Sequence, residues 1–222
     1  MAAGKSDAGE VVGLPRLPPG RHGLSREFVV ENQRQRIAAA MIAVVVERGY
    51  LAATVTQVVA AAGVSRRTFY NYYSDKAEAF FDVYAQVTDF LLETMSQAGN
   101  AKRSAWPARV RSELVALLDS FAANPDLLSF TLKAPPAAGG EVAAAYRSFL
   151  ERLLDVIAAG RPKRIRRPPP AAEYGLVGGL VALVIGASDA GGARTISTLA
   201  PEATELVLAP YLGREAASRA FR

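Results

Sequence analysis

The chain has no cysteine and only one histidine. Without thiols there is no disulfide framework and no thiolate metal site. His22 lies in a stretch rich in glycine and proline, where a lone imidazole is solvated, so a zinc site built on His and Cys is not expected. No Gly-rich phosphate loop is present, and Ser, Asp, Glu and Lys are scattered without a catalytic arrangement. An enzyme is therefore disfavoured, and no cofactor or metal is expected. Apolar runs of membrane length are lacking as well. Residues 1–23 hold no secretory apolar run. The uncharged stretch Tyr174–Ala187 is shorter than the roughly 20 residues a bilayer span needs, and Asp189 and Arg194 close it. A buried or interface helix in a cytoplasmic protein, with no membrane partner, is the expectation.

What is present suits an all-α protein. Half of the 222 residues are hydrophobic, enough for one sizeable core or for a small domain joined to a larger one. A net charge of +5 favours a polyanionic partner only weakly, since ordinary surfaces carry as much. Residues 1–24 read as a flexible arm, broken by Pro18-Pro19-Gly20. Lys5, Arg16 and Arg21 of that arm either touch the phosphates of such a partner or contact nothing. Ser25 is a plausible cap for a first helix running to about Arg48. Ile37, Met41, Val44 and Val45 make its apolar stripe, and Gly49 its end.

The informative stretch is residues 54–73. Thr54 with Gln57 has capping-box spacing, with Thr56 as an alternative cap. Val55, Val58, Val59 and Ala62 face one way. Gly63 tolerates the left-handed backbone of a sharp turn between helices. Ser65 then caps a short helix predicted over Arg66 to about Tyr72. This is a helix-turn-helix, in which the second helix enters the major groove and the first braces it. Base reading requires side chains on the exposed face of that second helix, with phosphate-gripping groups around it. Arg66, Arg67, Thr68, Tyr70 and Asn71 supply the polar face, while Phe69 belongs to the core. Tyr72 and Tyr73 divide between DNA contact and core, and the pattern does not decide which goes where. Ser74 or Asp75 caps a long fourth helix with Phe80, Phe81, Tyr84, Val87, Phe90 and Leu91 on one face. Lys76, in its first turn, has a natural phosphate role. The DNA-contact set is thus Thr54, Thr56, Ser65, Arg66, Arg67, Thr68, Tyr70, Asn71, Tyr73 and Lys76.

Residues from about Gln35 through Phe81 resemble the DNA-binding domain of the TetR family of bacterial transcriptional regulators. The resemblance rests on Arg48-Gly49-Tyr50, on the run Thr54 to Ser65, and on Arg67-Thr68-Phe69-Tyr70 with Tyr73 and Lys76 at fixed offsets. Two positions depart from the pattern. Tyr73 stands where phenylalanine is usual, and Ala77 where glutamate is common. The resemblance implies an all-helical homodimer with a helix-turn-helix domain over residues 25–80. Residues 81–222 would form a larger helical domain for ligand binding and dimerisation. It also implies a double-stranded DNA operator as partner, and repression relieved by a small-molecule effector.

In the larger domain, helices are expected over about Pro107–Phe121, just after Pro125, over about Gly140–Ala159, about Ala171–Ser188, and from Pro201 to about Leu212. Pro135-Pro136, Pro168-Pro169-Pro170 and Gly191-Gly192 punctuate them. If a cavity is enclosed there, its expected walls are Phe90, Met95, Trp106, Leu117, Phe121, Phe130 and Phe149, which suit a mainly apolar effector. Each also reads as ordinary core. The resemblance implies a dimer face on the last two long helices, here Val177, Val181, Val184, Ile185, Leu199, Leu206, Val207 and Tyr211. The densest basic segment, Arg161-Pro-Lys-Arg-Ile-Arg-Arg167, reads as a solvated loop more readily than as a second DNA contact. A DNA-binding architectural protein without an effector is the alternative function.

Overall fold

The computed structural model describes residues 26–100 and 104–219. The arm over residues 1–24, with Lys5, Arg16, Arg21 and His22, and the Ser25 cap lie outside the described residues. All regular elements among the described residues are helical, with no strand. They divide into two compact units, and the break between Ala85 and Gln86 falls inside one long helix.

The first unit holds α1 (Arg26–Arg48), α2 (Val55–Ala62), α3 (Arg66–Tyr70) and the start of α4 (Lys76–Asn100). Ile37, Met41, Val44 and Val45 of α1 are all buried, as the 3.6-residue period requires. Gly49, at φ 76°, closes α1 with its N–H on the Val45 carbonyl at 2.8 Å. The capping box forms at Thr54 rather than Thr56. Thr54 Oγ1 accepts from the Gln57 amide at 3.3 Å, and Gln57 Oε1 accepts from the Thr54 amide at 2.9 Å. Val58, Val59 and Ala62 then meet α1 in the core with Phe69 and Phe80, while Val55 is only half-buried.

The second unit continues α4 and adds α5 (Trp106–Ala123), α6 (Pro125–Leu128), α7 (Ala134–Ala138), α8 (Gly140–Ala158), α9 (Pro170–Gly191), α10 (Ala193–Ser197), α11 (Ala200–Leu212) and α12 (Arg214–Arg219). Its core is built on Leu114, Leu118, Phe121, Leu128, Phe130, Leu153, Ile157 and Leu208. The buried indole of Trp106 donates to the Ile157 carbonyl at 3.0 Å, tying α5 to α8. Two sequence expectations change here. Pro135-Pro136 do not interrupt the chain but sit in the first turn of α7. A π-turn over Ser129–Lys133 precedes them, and its wider backbone removes the clash a proline ring makes with an α-helical carbonyl. The short helices α10 and α12 were not anticipated; each is too brief to show a period.

Helix α9 is longer than its uncharged stretch implied. It begins with Pro170 as first residue, a position where the missing N–H costs nothing. It then takes in Glu173 and runs through Asp189 to Gly191. Its 22 residues make it long and apolar enough to cross a membrane by length and composition, although only about a third of it is buried. The burial is one-sided. Leu176, Val177, Leu180, Val184 and Ala187 face inward, whereas Gly175, Gly178, Ala182 and Gly186 are exposed. Glu173 is buried in the first turn, bonded to Arg167 and Tyr211 of the same unit.

Candidate nucleic-acid interface

The turn between α2 and α3 is fixed by a left-handed glycine, a pair of backbone bonds, a guanidinium from α1 and a serine cap. Gly63 is left-handed (φ 61°, ψ 35°), its N–H bonds Ala60 O at 3.2 Å, and Val64 N–H bonds Val59 O at 3.1 Å. That pair is the Schellman arrangement, which satisfies carbonyls the helix end leaves free. Arg36 of α1 reaches the same end and donates to the carbonyls of Ala62 and, at 2.9 Å, Gly63. A guanidinium there meets the negative pole of α2. Ser65 then restarts the helix: its Oγ accepts from the Thr68 amide at 2.9 Å and shares a hydrogen bond with Thr68 Oγ1 at 2.9 Å.

On this platform α3 buries Phe69 completely and turns Arg66, Arg67, Tyr70 and Asn71 outward. Tyr70 is 48% exposed, its ring set edge-on to Phe69 at 5.4 Å. Neither Arg66 nor Arg67 pairs with a carboxylate among the described residues. Thr54, Thr56 and Ser65 are exposed beside them. The helix is shorter than expected, ending at Tyr70. The amides of Asn71 and Tyr73 still bond back to Arg67 and Phe69.

Tyr73 must be withdrawn from the DNA-contact set. It is 5% exposed, and its hydroxyl donates to Asp82 Oδ2 at 2.7 Å, the same oxygen that Arg34 of α1 approaches at 3.2 Å. Burial, then the bond to Asp82, pushes this phenol up to about 12, so it stays a neutral donor. Tyr72, half-buried, donates to Gln33 Oε1 at 2.8 Å. Lys76 is also more than a surface cation. Its ammonium donates to the Tyr50 carbonyl at 2.8 Å and lies 4.3 Å from the centre of the Tyr50 ring. Burial lowers its pKa. It braces the α1–α2 connection and has two further N–H donors for a phosphate. At the start of α4 Asp75 is the cap, accepting from the Glu78 amide at 2.9 Å. Glu78 returns to the Ser74 amide and hydroxyl, both at 2.6 Å.

The second unit redistributes the remaining sequence candidates. Phe90 is 56% exposed and is no wall of an internal cavity. Met95, Trp106, Leu117, Phe121, Phe130 and Phe149 are buried. Two clefts among the described residues are lined by none of them. Both clefts border the basic segment instead, one of about 360 Å³ on its acidic side and one of about 570 Å³ beside Arg166. Of the expected dimer face, Val177, Val184, Leu199, Val207 and Tyr211 are buried within the chain itself, because α11 packs on both α5 and α9. Val181, Ile185 and Leu206 remain at the surface. Sequence reasoning missed Arg36, Arg34 and Asp82; their spacing from the turn, across tertiary contacts, carries no local signal.

A three-helix unit that presents a short polar helix on a capped left-handed turn defines a helix-turn-helix protein, and the second unit makes it a two-unit all-α one. Residues 37–83 match the family model of bacterial regulatory proteins, tetR family. The match covers the helix-turn-helix and the start of α4, about a fifth of the chain. The fold agrees with solved structures along most of its length. The fatty acid degradation regulator FadR from Bacillus halodurans is 18% identical with a TM-score of 0.66, over 78% of this chain and 97% of that one. FadR from Bacillus subtilis, solved in complex with stearoyl-CoA, gives 16% and 0.63, over 81% and 98%. LfrR from Mycobacterium smegmatis, solved in complex with proflavine, gives 21% and 0.54, over 83% and 97%. No curated protein matches the chain.

Proposed function

We propose that the protein is a ligand-responsive transcriptional repressor that binds a palindromic operator as a homodimer. The observation that carries this reading is α3, whose Arg66, Arg67, Tyr70 and Asn71 face outward from a turn fixed at Gly63. Arginine can take guanine O6 and N7 in pairs, asparagine can take adenine, and a tyrosine ring can lie on sugar or a thymine methyl. Thr54 and Thr56 at the start of α2, with Lys76 at the start of α4, flank the reading helix with phosphate donors.

Two reading heads related by a two-fold axis read two half-sites, which is the physical reason for a dimer. The exposed small and apolar residues of α9, with Val181, Ile185 and Leu206, supply its face. A small, mainly apolar effector bound in residues 86–222 releases the operator. Relatives of this fold hold stearoyl-CoA and proflavine, so the fold accommodates organic ligands of different charge. The protein works in the cytoplasm, without cofactor or metal. Selection of bound fragments from genomic DNA tests the reading. Recovered sites should share an inverted repeat with half-sites about one helical turn apart. Failure to retain any duplex at low salt ends the proposal.

A further inference from the structure

The basic segment lies in the second unit, outside the helix-turn-helix, and it is a built feature. Five cations fall within seven residues, Arg161 to Arg167. The loop is pinned rather than loose. Ile165 N–H bonds Pro162 O at 2.9 Å, and Arg161 N–H bonds Ala158 O at 3.2 Å. Arg167 Nε donates to both oxygens of the buried Glu173, at 2.8 and 2.9 Å. Tyr211 of α11 donates to Glu173 Oε1 at 2.8 Å. Burial works against the Glu173 carboxylate, but the bonds from Arg167 and Tyr211 hold it below the usual range, so it anchors Arg167 as an anion.

That anchor occupies only Nε. The guanidinium is half exposed, and its terminal nitrogens have no partner among the described residues. Beside it opens the 570 Å³ cleft, with Arg166 on its rim, Pro168, Pro169 and Pro210 as apolar walls, and the Tyr211 ring among its lining. Its size falls within the roughly 300–1,000 Å³ of small-molecule sites. Ala172 also lines it, so the positive pole of α9 lies at the same cleft. Lys163, Arg164 and Arg166 are exposed and without an ion pair among the described residues, so the surrounding charge is positive. The neighbouring cleft, past Arg167, is lined by Glu151, Asp155 and Glu173 and carries the opposite sign.

The geometry points to a binding site, formed by Arg166, Arg167, the proline walls and Tyr211, for a small molecule that joins a carboxylate or phosphate to an apolar body. This inference rests on the ligand-responsive reading and gives its effector an anionic head. The cleft joins α9 to α11, the two helices given to the dimer face, so a ligand there bears directly on assembly. A duplex is the poorer occupant, because the lining is a concave apolar recess rather than a row of cations spaced along a backbone.

The full chain reports on the site without DNA. Its single tryptophan, Trp106, sits edge-on to Tyr211 with ring centres 5.2 Å apart. Octanoate, octyl phosphate and 1-octanol are titrated separately, with Trp106 emission and calorimetry as readouts. Both anions should saturate one site per chain, and 1-octanol should bind roughly tenfold more weakly or worse, the difference expected for one charge-assisted contact. The tighter of the two anions identifies the head group. Arg166→Ala, which disturbs no packing, should weaken both anions about tenfold and leave 1-octanol unchanged. Arg167→Gln should do the same with some loss of stability. Equal affinity for 1-octanol and octanoate, or undiminished octanoate binding by Arg166→Ala, overturns the proposal. So does a loop that binds random duplex in a salt-dependent way and no octanoate. Because operator binding is measured apart, these failures leave the DNA reading standing, and loss of operator binding leaves this site to be judged by its own titration.

Discussion

Tyr70 and Tyr73 stand three residues apart and do opposite things, so substitution should separate them. Tyr70→Ala removes an exposed ring and should lower operator affinity by about 1–3 kcal/mol, with melting temperature unchanged. Arg66→Ala should do likewise, and if its contact is a phosphate the salt slope falls by about one. Tyr73→Phe removes the donor to Asp82 and should cost about 1 kcal/mol of stability while leaving affinity, measured below the melting range, as it was. Equal operator affinity for Tyr70→Ala and the parent protein rejects the reading role. Glu113 offers a test by pH. It is 1% exposed, packed on Gly99 of α4, and Oε2 has no hydrogen-bond partner. Arg109 Nε lies 3.3 Å from the other oxygen, Oε1, without the alignment of a hydrogen bond. Burial raises this carboxyl to about 7, against the pull of Arg109. The folded chain therefore holds a proton that the unfolded chain releases near its ordinary value of 4.5. That contribution to stability is fully present below the unfolded value and is lost as pH rises through about 7. Glu113→Gln keeps the neutral form at all pH. Its melting temperature should match the parent at low pH and exceed it at pH 8, by an effect on the order of 3 kcal/mol at most. Parallel melting curves across that range would show the burial argument to be wrong.

At the scale of elements, the helix-turn-helix depends on caps that are local and therefore written in consecutive residues. Thr54 with Gln57, Gly63, and Ser65 with Thr68 each act within four positions, so their pattern was readable before any coordinates. Thr54→Ala or Ser65→Ala should each cost about 1 kcal/mol. Gly63→Ala places a Cβ on a left-handed backbone and should cost about 1–2 kcal/mol. Because α3 loses its direction with that turn, operator affinity should fall further than thermal denaturation alone accounts for. A Gly63→Ala protein with full affinity would mean the turn does not aim the helix. What the sequence concealed is tertiary. Nothing near Tyr73 announces that Asp82 and Arg34 will claim its hydroxyl, and Lys76 meets a Tyr50 carbonyl 26 residues away in sequence. In the larger unit the apolar residues of α9 and α11 have no strong period, so inward and outward faces could not be told apart. Five of the eight expected dimer residues therefore proved to be core. The prolines at 135 and 136 misled for a related reason, since a π-turn absorbs them and leaves no mark in composition.

For the whole molecule, the question is whether the face left open on α9 closes against a second copy. A Cβ added at Gly175, Gly178 or Gly186 would meet nothing within 4 Å in this chain, so the small-residue side of the helix is open to close approach by another backbone. Val181, Ile185 and the exposed Leu206 of α11 flank it with apolar surface. A two-fold axis through such a face brings each residue near its own counterpart, so one substitution acts twice. Val181→Arg or Leu206→Arg would then bury two like charges without partners, at a cost on the order of 3 kcal/mol or more for each uncompensated charge. Light scattering should show the molar mass halved while circular dichroism retains the helical signal, because both positions are peripheral to the core of the chain. Val184→Arg is the contrasting control: Val184 is buried within the chain, so this variant should unfold rather than dissociate. Dissociation should also reach the DNA. A lone reading head keeps its contacts to one half-site, and so the advantage of a full palindrome over an isolated half-site should vanish in Val181→Arg. An unchanged mass in both surface variants would move the dimer face elsewhere. A halved mass with undiminished preference for the palindrome would instead mean that the two heads are coupled through the operator rather than through α9.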